Sequence, residues 1–459
     1  VLTGCGSAGA YHAGVLKACS EAGVRVDIVA GHGIGVVSAL FHAVDGGSRL
    51  WASDGAWVQR GVVRFYAWRP AVRALAWATL AALATAVVPM AALALGTLVY
   101  LAAFLAGVLG LTAATELADR YTALVHDAFL PGRLTTWIPQ LTLLLLALVL
   151  LLLLLASWRS RTAGRTRERG AFWWRVLGAP VSAAGIVEFW RRHLWQLLIG
   201  GARLTEPDAV QLSRRYAELL AENLGQPGFR EVVAVVHDSD ARHDLVMAAL
   251  AEPYRRAFFA RGPQGPGSES GPRAAEALDL VGVDRDHVTD VLAAALCLPV
   301  ATMPWAVTFA PESYWRGETH RLCDRPGAVA RVLDEVLAAG AEQVIVVSSV
   351  SSAPQPHALV APRLDGFGKL GEWLSSQEAA AVRDAIWTRR ASFRNLHVIV
   401  PAHNPTGPLD FSGAYDERSD RVQGFQEVMA RGYDDAYRQF IEPAVGEADD
   451  GTPAFTPGR

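Results

Sequence analysis

Short runs of Val, Ile and Ala alternate with longer amphipathic stretches over most of the chain. "VDIVA" (26–30), "EVVAVVH" (231–237), "EQVIVVSSV" (342–350) and "NLHVIVPAH" (395–403) read as short buried strands, rich in branched residues and ended by turn residues. Helical spacing marks "AYHAGVLKACSEAG", "AVQLSRRYAELLAENLG" and "PGAVARVLDEVLAAGAE". Strands alternating with helices predict an α/β fold with a mostly parallel sheet and helices on both faces. No internal repeat is found.

Two stretches break this alternation. Residues 74–115 and 134–158 carry no charge, and each exceeds the roughly 20 apolar residues that a membrane span requires. As one helix the first would be about 63 Å long, at about 1.5 Å per residue. It is either a single long crossing or two spans bent near Pro89 or Gly96. Arg60, Arg64, Arg69 and Arg73 precede the first run, and Arg159, Arg161, Arg165, Arg167 and Arg169 follow the second. Positive charge on both flanks places both in the cytoplasm. The segment 116–133, with Glu116, Asp119 and Asp127 against Arg120 and Arg133, then lies outside. Residues 1–50 supply about two strands and too little apolar surface for a core, so the sheet needs chain from both sides of the insert. Both halves must share one side of the membrane, which requires an even number of crossings. A further crossing within 172–200 would bury Arg175 and Glu188, at about 2.5–3.5 kcal/mol for a charge at the bilayer centre. The expectation is an integral membrane protein with two spans and a cytoplasmic soluble domain. The segment 172–200 itself mixes Trp with Arg, which fits an interfacial amphipathic helix or a helix capping the soluble domain.

Composition agrees with membrane content: 51% of residues are apolar and 19% charged. A net charge of −3 gives no basic field for nucleic acid. Cys5, Cys19, Cys297 and Cys323 are scattered without a C-x-x-C pair, so neither a zinc site nor a disulfide framework is indicated. No cofactor or metal is expected. "RGPQGPGSESGPR" (261–273) reads as a flexible loop and 446–459 as a frayed tail.

Candidate chemistry gathers at glycine turns. "AGHGIG" (30–35) follows a strand and opens a helix, where hydrolases hold a nucleophile in the pattern G-x-S-x-G. The elbow positions are Gly31, His32, Gly33, Ile34 and Gly35, and the nucleophile position, Gly33, has no side chain to attack with. His32 would point elsewhere and Ser38 lies a turn into the helix, so both read as surface or packing residues. Gly4, Cys5, Gly6 and Gly9 form a loop whose amides, at a helix start, suit an oxyanion, a phosphate head group or a carboxylate; the other reading is a tight strand–helix turn. Cys5 reads as an unreactive thiol, with nothing basic near it in sequence. "HDSDARHD" (237–244) offers His237, Asp238, Asp240, His243 and Asp244, which read as a solvated turn rather than metal ligands. "DGF" (Asp365–Phe367) reads as a turn, and His403 and Asn404 sit at a strand end with no identified partner.

The stretch from "LTGCGSAGAYHAGVLKACSEAG" to "VRVDIVAGHGIG" resembles the start of a patatin-like phospholipase domain. That family opens with a strand and a G-G-G-x-[RK]-G loop, continues into a helix with H-x-G-V-L, and reaches G-x-S-x-G after a second strand. Gly4, Cys5, Gly6 and Gly9 occupy the loop here, and His12, Gly14, Val15 and Leu16 follow. "VLAAALCLPVATMPWAV" (291–307) and "CDRPGAVARVLDEVLAAGAEQVIVVS" (323–348) resemble the segments around the family's catalytic aspartate. The resemblance covers 1–50 and about 205–440. It implies an α/β patatin-like three-layer sandwich with a mostly parallel sheet, into which the two apolar runs, read independently, insert a transmembrane helical hairpin. The plan is then 1–50 and 205–445 for the patatin-like domain, 70–158 for the membrane insert, 159–204 for a juxtamembrane amphipathic segment and 446–459 for the tail. Family members are Ser–Asp hydrolases. Their serine falls at Gly33, and their aspartate falls within "YWRGETHRLCDRPG" (314–327), at Arg316 when aligned on the tyrosine and at Thr319 when aligned backward from "DRPG". The loop's basic residue is replaced by Ala8. The resemblance therefore implies a membrane-anchored patatin-like domain, inactive as a serine hydrolase, that binds membrane lipid or a protein partner. The alternatives are an active lipid acyl hydrolase using other residues and a membrane scaffold that binds no lipid.

Overall fold

The computed structural model describes residues 1–444 except 60, 61, 63, 64, 111, 112, 163–177, 203, 261–274, 314, 352–358, 360 and 361. The loop 261–273, the tail 446–459 and Arg60, Arg64, Arg165, Arg167 and Arg169 therefore lie outside the described residues. The chain divides into two units, one of Val1–Ala67 with Ser182–Arg459, the other Trp68–Val181.

The first unit is built on a nine-stranded sheet. In chain order its first elements are β1 (Leu2–Thr3), α1 (Ala8–Glu21), β2 (Ile28–His32), α2 (Ile34–Ala43) and α3 (Ser48–Trp51). Short strands β3 (Ala67–Trp68) and β4 (Val181–Ser182) form a separate two-stranded sheet. Between these two strands, in the second unit, come α4 (Pro70–Val108), α5 (Ala113–Ala128) and α6 (Leu134–Thr162). After β4 come α7 (Ala184–Ile199), α8 (Ala209–Asn223), β5 (Glu231–Asp238), β6 (His243–Ala249), α9 (Tyr254–Ala260), β7 (Ala275–Asp279), α10 (Val288–Ala295), β8 (Trp305–Thr308) and β9 (Thr319–Cys323). The remainder is α11 (Val329–Ala338), β10 (Gln343–Ser348), α12 (Gly366–Arg389), β11 (Asn395–Ile399), the hairpin strands β12 (Ala414–Asp416) and β13 (Arg421–Gln423), and α13 (Phe425–Ala436).

The strand order is β11-β10-β1-β2-β5-β6-β7, with β9 also pairing β5 and β8 pairing β9. The strands read from the Val/Ile runs are β2, β5, β10 and β11, and with β1 they form a five-stranded parallel block; β6 and β7 make a second parallel pair. β1 sits at its centre, with Leu2 opposite Val347 on one side and Gly31 on the other. Their continuous apolar runs reflect burial on both faces. Ala30, Val233, Val235, Val344 and Val346 pack against Val332, Leu333 and Val336 of α11 and Val382 and Ala385 of α12. The alternate residues Val232, Ala234 and Val236 point to the other face and are equally buried. β6 runs antiparallel to β5, so "HDSDARHD" spans a hairpin whose turn is only residues 239–242.

The H-x-G-V-L helix α1 is held against α13 at backbone contact. A Cβ on Gly14 would lie 1.9 Å from the Met429 carbonyl oxygen, and one on Gly432 would lie 2.4 Å from that of Tyr11. The Tyr11 hydroxyl donates to the buried Asp435 carboxylate at 2.9 Å. Of the segment 172–200, the helix α7 belongs to the sheet unit and buries Ile186, Trp190 and Leu194.

The second unit holds two helices long and apolar enough to cross a membrane, Pro70–Val108 and Leu134–Leu155, with mean hydropathies of 2.1 and 2.8. α4 runs 39 residues without a break at Pro89. Pro70 in its first turn fits the start of a helix, where the missing N–H costs nothing. Among its described residues only Gly96 is buried, under the Tyr121 ring, and Leu83, Leu93 and Phe104 are exposed. A helix apolar all round is a core or membrane helix, and α4 is not covered by protein. By contrast, α5 and the turn after it are charged, with ion pairs Glu116–Arg120 at 3.6 Å and Asp127–Arg133 at 2.8 Å.

Candidate functional site

The turn between β2 and α2 lies at the carboxyl edge of the parallel strands, where α/β folds place ligands. Gly33 has φ +57° and ψ −134°, a conformation open in practice to glycine and to strained elbow residues. A Cβ there would stand 2.4 Å from the Gly4 carbonyl oxygen and 3.1 Å from Asp324 Oδ2. Gly35 is needed because a Cβ would lie 2.0 Å from the Leu2 carbonyl oxygen of the neighbouring strand.

The carboxylate facing the elbow is thus Asp324, directly after β9, and neither Arg316 nor Thr319. Thr319 opens β9 opposite Thr308, and Arg316 sits in the preceding turn with φ +46°. Asp324 stands in the quoted "CDRPG". Both alignments pass over it because no glycine follows it. It is 1% exposed, and its Oδ2 has no hydrogen-bond partner among the described residues.

His32 does not point into solvent. It is fully buried, its Nδ1–H directed at Asp324 Oδ1 at 3.3 Å and its Nε2–H at Glu378 Oε1 at 3.1 Å. Glu378 comes from α12, and its other oxygen accepts the Gly327 amide at 2.9 Å. Burial alone would discharge the imidazole, but Glu378 and Asp324 outweigh it and raise its pKa to about 10. Burial likewise opposes the charge on Glu378, whose pKa is nevertheless held below the usual value by His32 and the Gly327 amide. With both ring nitrogens protonated, His32 has no lone pair to act as a base. The link between β2, the segment after β9 and α12 is an ion triad that sequence spacing gives no means of finding, because His32 and Glu378 are 346 residues apart.

The glycine loop is engaged by its own chain. The Ile34 amide, which in an elbow would face an oxyanion, donates to the Gly4 carbonyl at 3.1 Å. The Ser7 amide donates to the Pro408 carbonyl at 2.8 Å, and the Ser7 hydroxyl to the Gly407 carbonyl at 2.7 Å. The loop carrying Pro408 is fixed in turn: Asp410 accepts the Gly407 amide at 2.8 Å and both Arg363 guanidinium nitrogens at 2.9 and 3.0 Å. Gly9 lies against the Trp57 ring, which stacks in an aromatic cluster with Trp190 and Phe425. Burial, then Asp324 and Glu378, push the Cys5 thiol well up, which keeps it protonated and unreactive.

Ser38 meets an imidazole. Its hydroxyl lies 3.4 Å from His12 Nδ1, while His12 Nε2–H donates to the Thr3 carbonyl at 2.9 Å. Burial lowers the His12 pKa to about 3, so the ring is neutral and too weak a base to activate the hydroxyl. Both residues are buried between sheet and helices, and the pair is packing.

The 237–244 residues differ from a solvated turn, because Asp238 and Asp244 are buried and paired. Asp238 accepts the amides of Asp240 and Ala241 and faces His320; Asp244 accepts from His237 at 3.0 Å and pairs with Arg325 at 2.8 Å. Asp365 caps α12 by accepting the Gly368 amide at 2.8 Å. His403 bonds Asp416 at 2.9 Å and Asn404 donates to the Ser349 carbonyl at 3.1 Å, so both have structural partners.

Comparison with protein-family models and with curated proteins finds no match to this chain.

Proposed function

We propose that this chain is a membrane-anchored patatin-like domain that does not hydrolyse esters and instead binds lipid or a partner. The observation that carries the reading is the Gly33 turn: elbow dihedrals beside the Asp324 carboxylate, no side chain to attack with, and the following Ile34 amide bonded to Gly4. A hydrolytic elbow needs a nucleophile with a donor beside it; Gly33 supplies no nucleophile, and the Ile34 amide is turned to the Gly4 carbonyl. The glycine loop, the elbow and an aspartate meeting at one point support the family resemblance, and the two apolar helices support the anchor. The full chain in lipid nanodiscs, incubated with a fluorophosphonate probe and with p-nitrophenyl butyrate, should give labelling and turnover no higher than the heat-denatured chain. Turnover that persists across independent preparations would make it an acyl hydrolase and overturn this reading.

A further inference from the structure

On the sheet face covered by α12, the helix and the strand ends separate and leave a cleft of about 760 Å³. This is within the range of small-molecule sites. Its floor is apolar: Val398 and Val400 at the end of β11, Val350 beyond β10, and Val382 and Ile386 from α12. Its rim is charged, because Arg383 and Arg390 line it two helical turns apart, with Asp384 beside them. Neighbouring arginines are neutralised: Arg389 pairs with Asp334 at 2.5 Å and Arg363 with Asp410 at 2.9 Å. No ion pair joins Arg383 or Arg390 to a described carboxylate within 4.0 Å, so the rim carries a net single positive charge. Trp387 stands between the two arginines on the same helix face, 88% exposed.

From an apolar trough of this volume, a net charge of one and an uncovered indole, we infer that the cleft binds a single-chain anionic amphiphile of the long-chain carboxylate class. The chain lies on Val382, Ile386, Val398 and Val400, and the carboxylate meets the guanidinium groups of Arg383 and Arg390, the geometry Arg is suited to. No residue of the elbow or of the glycine loop lines the cleft, so the inference does not depend on whether the elbow is catalytic.

The test uses the full chain in phosphatidylcholine nanodiscs and a palmitate analogue carrying a diazirine near the chain end. After irradiation, cross-linked peptides are mapped by mass spectrometry. Cross-links should fall on residues 379–400, and excess oleate should abolish them while excess oleyl alcohol should not. R383E/R390E should lower this labelling about tenfold or more, the equivalent of one lost charge-assisted contact. The charge-conserving R383K/R390K should retain most of it, and both variants should keep the parent's thermal midpoint, because the side chains are exposed. A379L, which narrows the trough from a half-buried position outside the core cluster, should also lose labelling. Cross-links confined to 70–158 would mean bilayer partitioning only. Labelling of α12 that oleyl alcohol competes equally, or that survives R383E/R390E, would remove the anionic class. Either result overturns the inference.

Discussion

At the scale of single residues, Gly33 and His32 set the behaviour of the elbow. Gly33→Ser should not restore a hydrolase, although Asp324 is in place, because the new Cβ would lie 2.4 Å from the Gly4 carbonyl oxygen at φ +57°. The variant should lose about 1–3 kcal/mol of stability, read as a lower thermal midpoint, and remain unlabelled by fluorophosphonate. Labelling at residue 33 would contradict this. His32 makes stability depend on pH in a definite direction. Its folded pKa of about 10 lies above the ordinary 6.5, so its contribution is complete below 6.5 and declines as pH rises toward 10. Glu378, with a lowered pKa, contributes above 4.5 and loses its contribution as pH falls. His12, held to about 3, likewise costs stability as pH falls below 6.5. Stability should therefore peak near pH 6.5 and fall at up to about 1.4 kcal/mol per pH unit above it. In His32→Gln the decline between pH 6.5 and 8.5 should become clearly shallower, keeping only the part due to His287, whose pKa Asp290 also raises, while the acid limb remains. Thermal midpoints across that range check it, and an unchanged alkaline slope in the variant would refute the assignment. The glycines of this site were legible in the sequence because each answers a local backbone demand. The triad was not, since an ion pair between distant residues leaves no spacing to read.

At the scale of elements, legibility followed burial. β2, β5, β10 and β11 are covered on both faces and so appear as unbroken Val/Ile runs, whereas β9, "THRLC", at the sheet's antiparallel extension, begins with three polar residues and carries no such signal. The ends of β5 and β6 were hidden for another reason, since their aspartates and histidines read as loop residues until their partners are seen across the sheet. The α1–α13 contact makes a sharper point, because Gly14 marks a helix crossing with no room for any side chain. Gly14→Val should lower the thermal midpoint strongly, by about 3 kcal/mol or more from overpacking and displaced backbone, while Ser20→Ala at the exposed end of α1 should shift it little. Equal effects of the two would mean that the close approach is not required.

At the scale of the molecule, the apolar unit between residues 68 and 181 leaves the sheet unit and returns to it. We propose a two-span crossing, with residues 116–133 outside and the arginine-rich flanks in the cytoplasm, because it fits that connectivity and keeps the charges of α5 in water. The native cysteines are all buried, so single introduced probes report cleanly. A maleimide applied outside intact cells should label Thr122→Cys and leave Thr166→Cys unlabelled until the membrane is permeabilised. The reverse pattern would invert the orientation, and labelling of both would exclude a hairpin.

The position of β1 at the centre of the sheet has a consequence for biosynthesis. Thr3 bonds the carbonyl of Val347, 344 residues further along the chain. At about 5–20 residues per second of translation, the first strand made waits roughly 20–70 s for the neighbour that completes it. During that interval its amides, the glycine loop and the apolar side of α1 are unpaired while the two hydrophobic helices emerge from the ribosome. β1 cannot complete its pairing before the C-terminal third arrives, and a chain stalled before β10 exposes an open sheet edge to aggregation and to quality control.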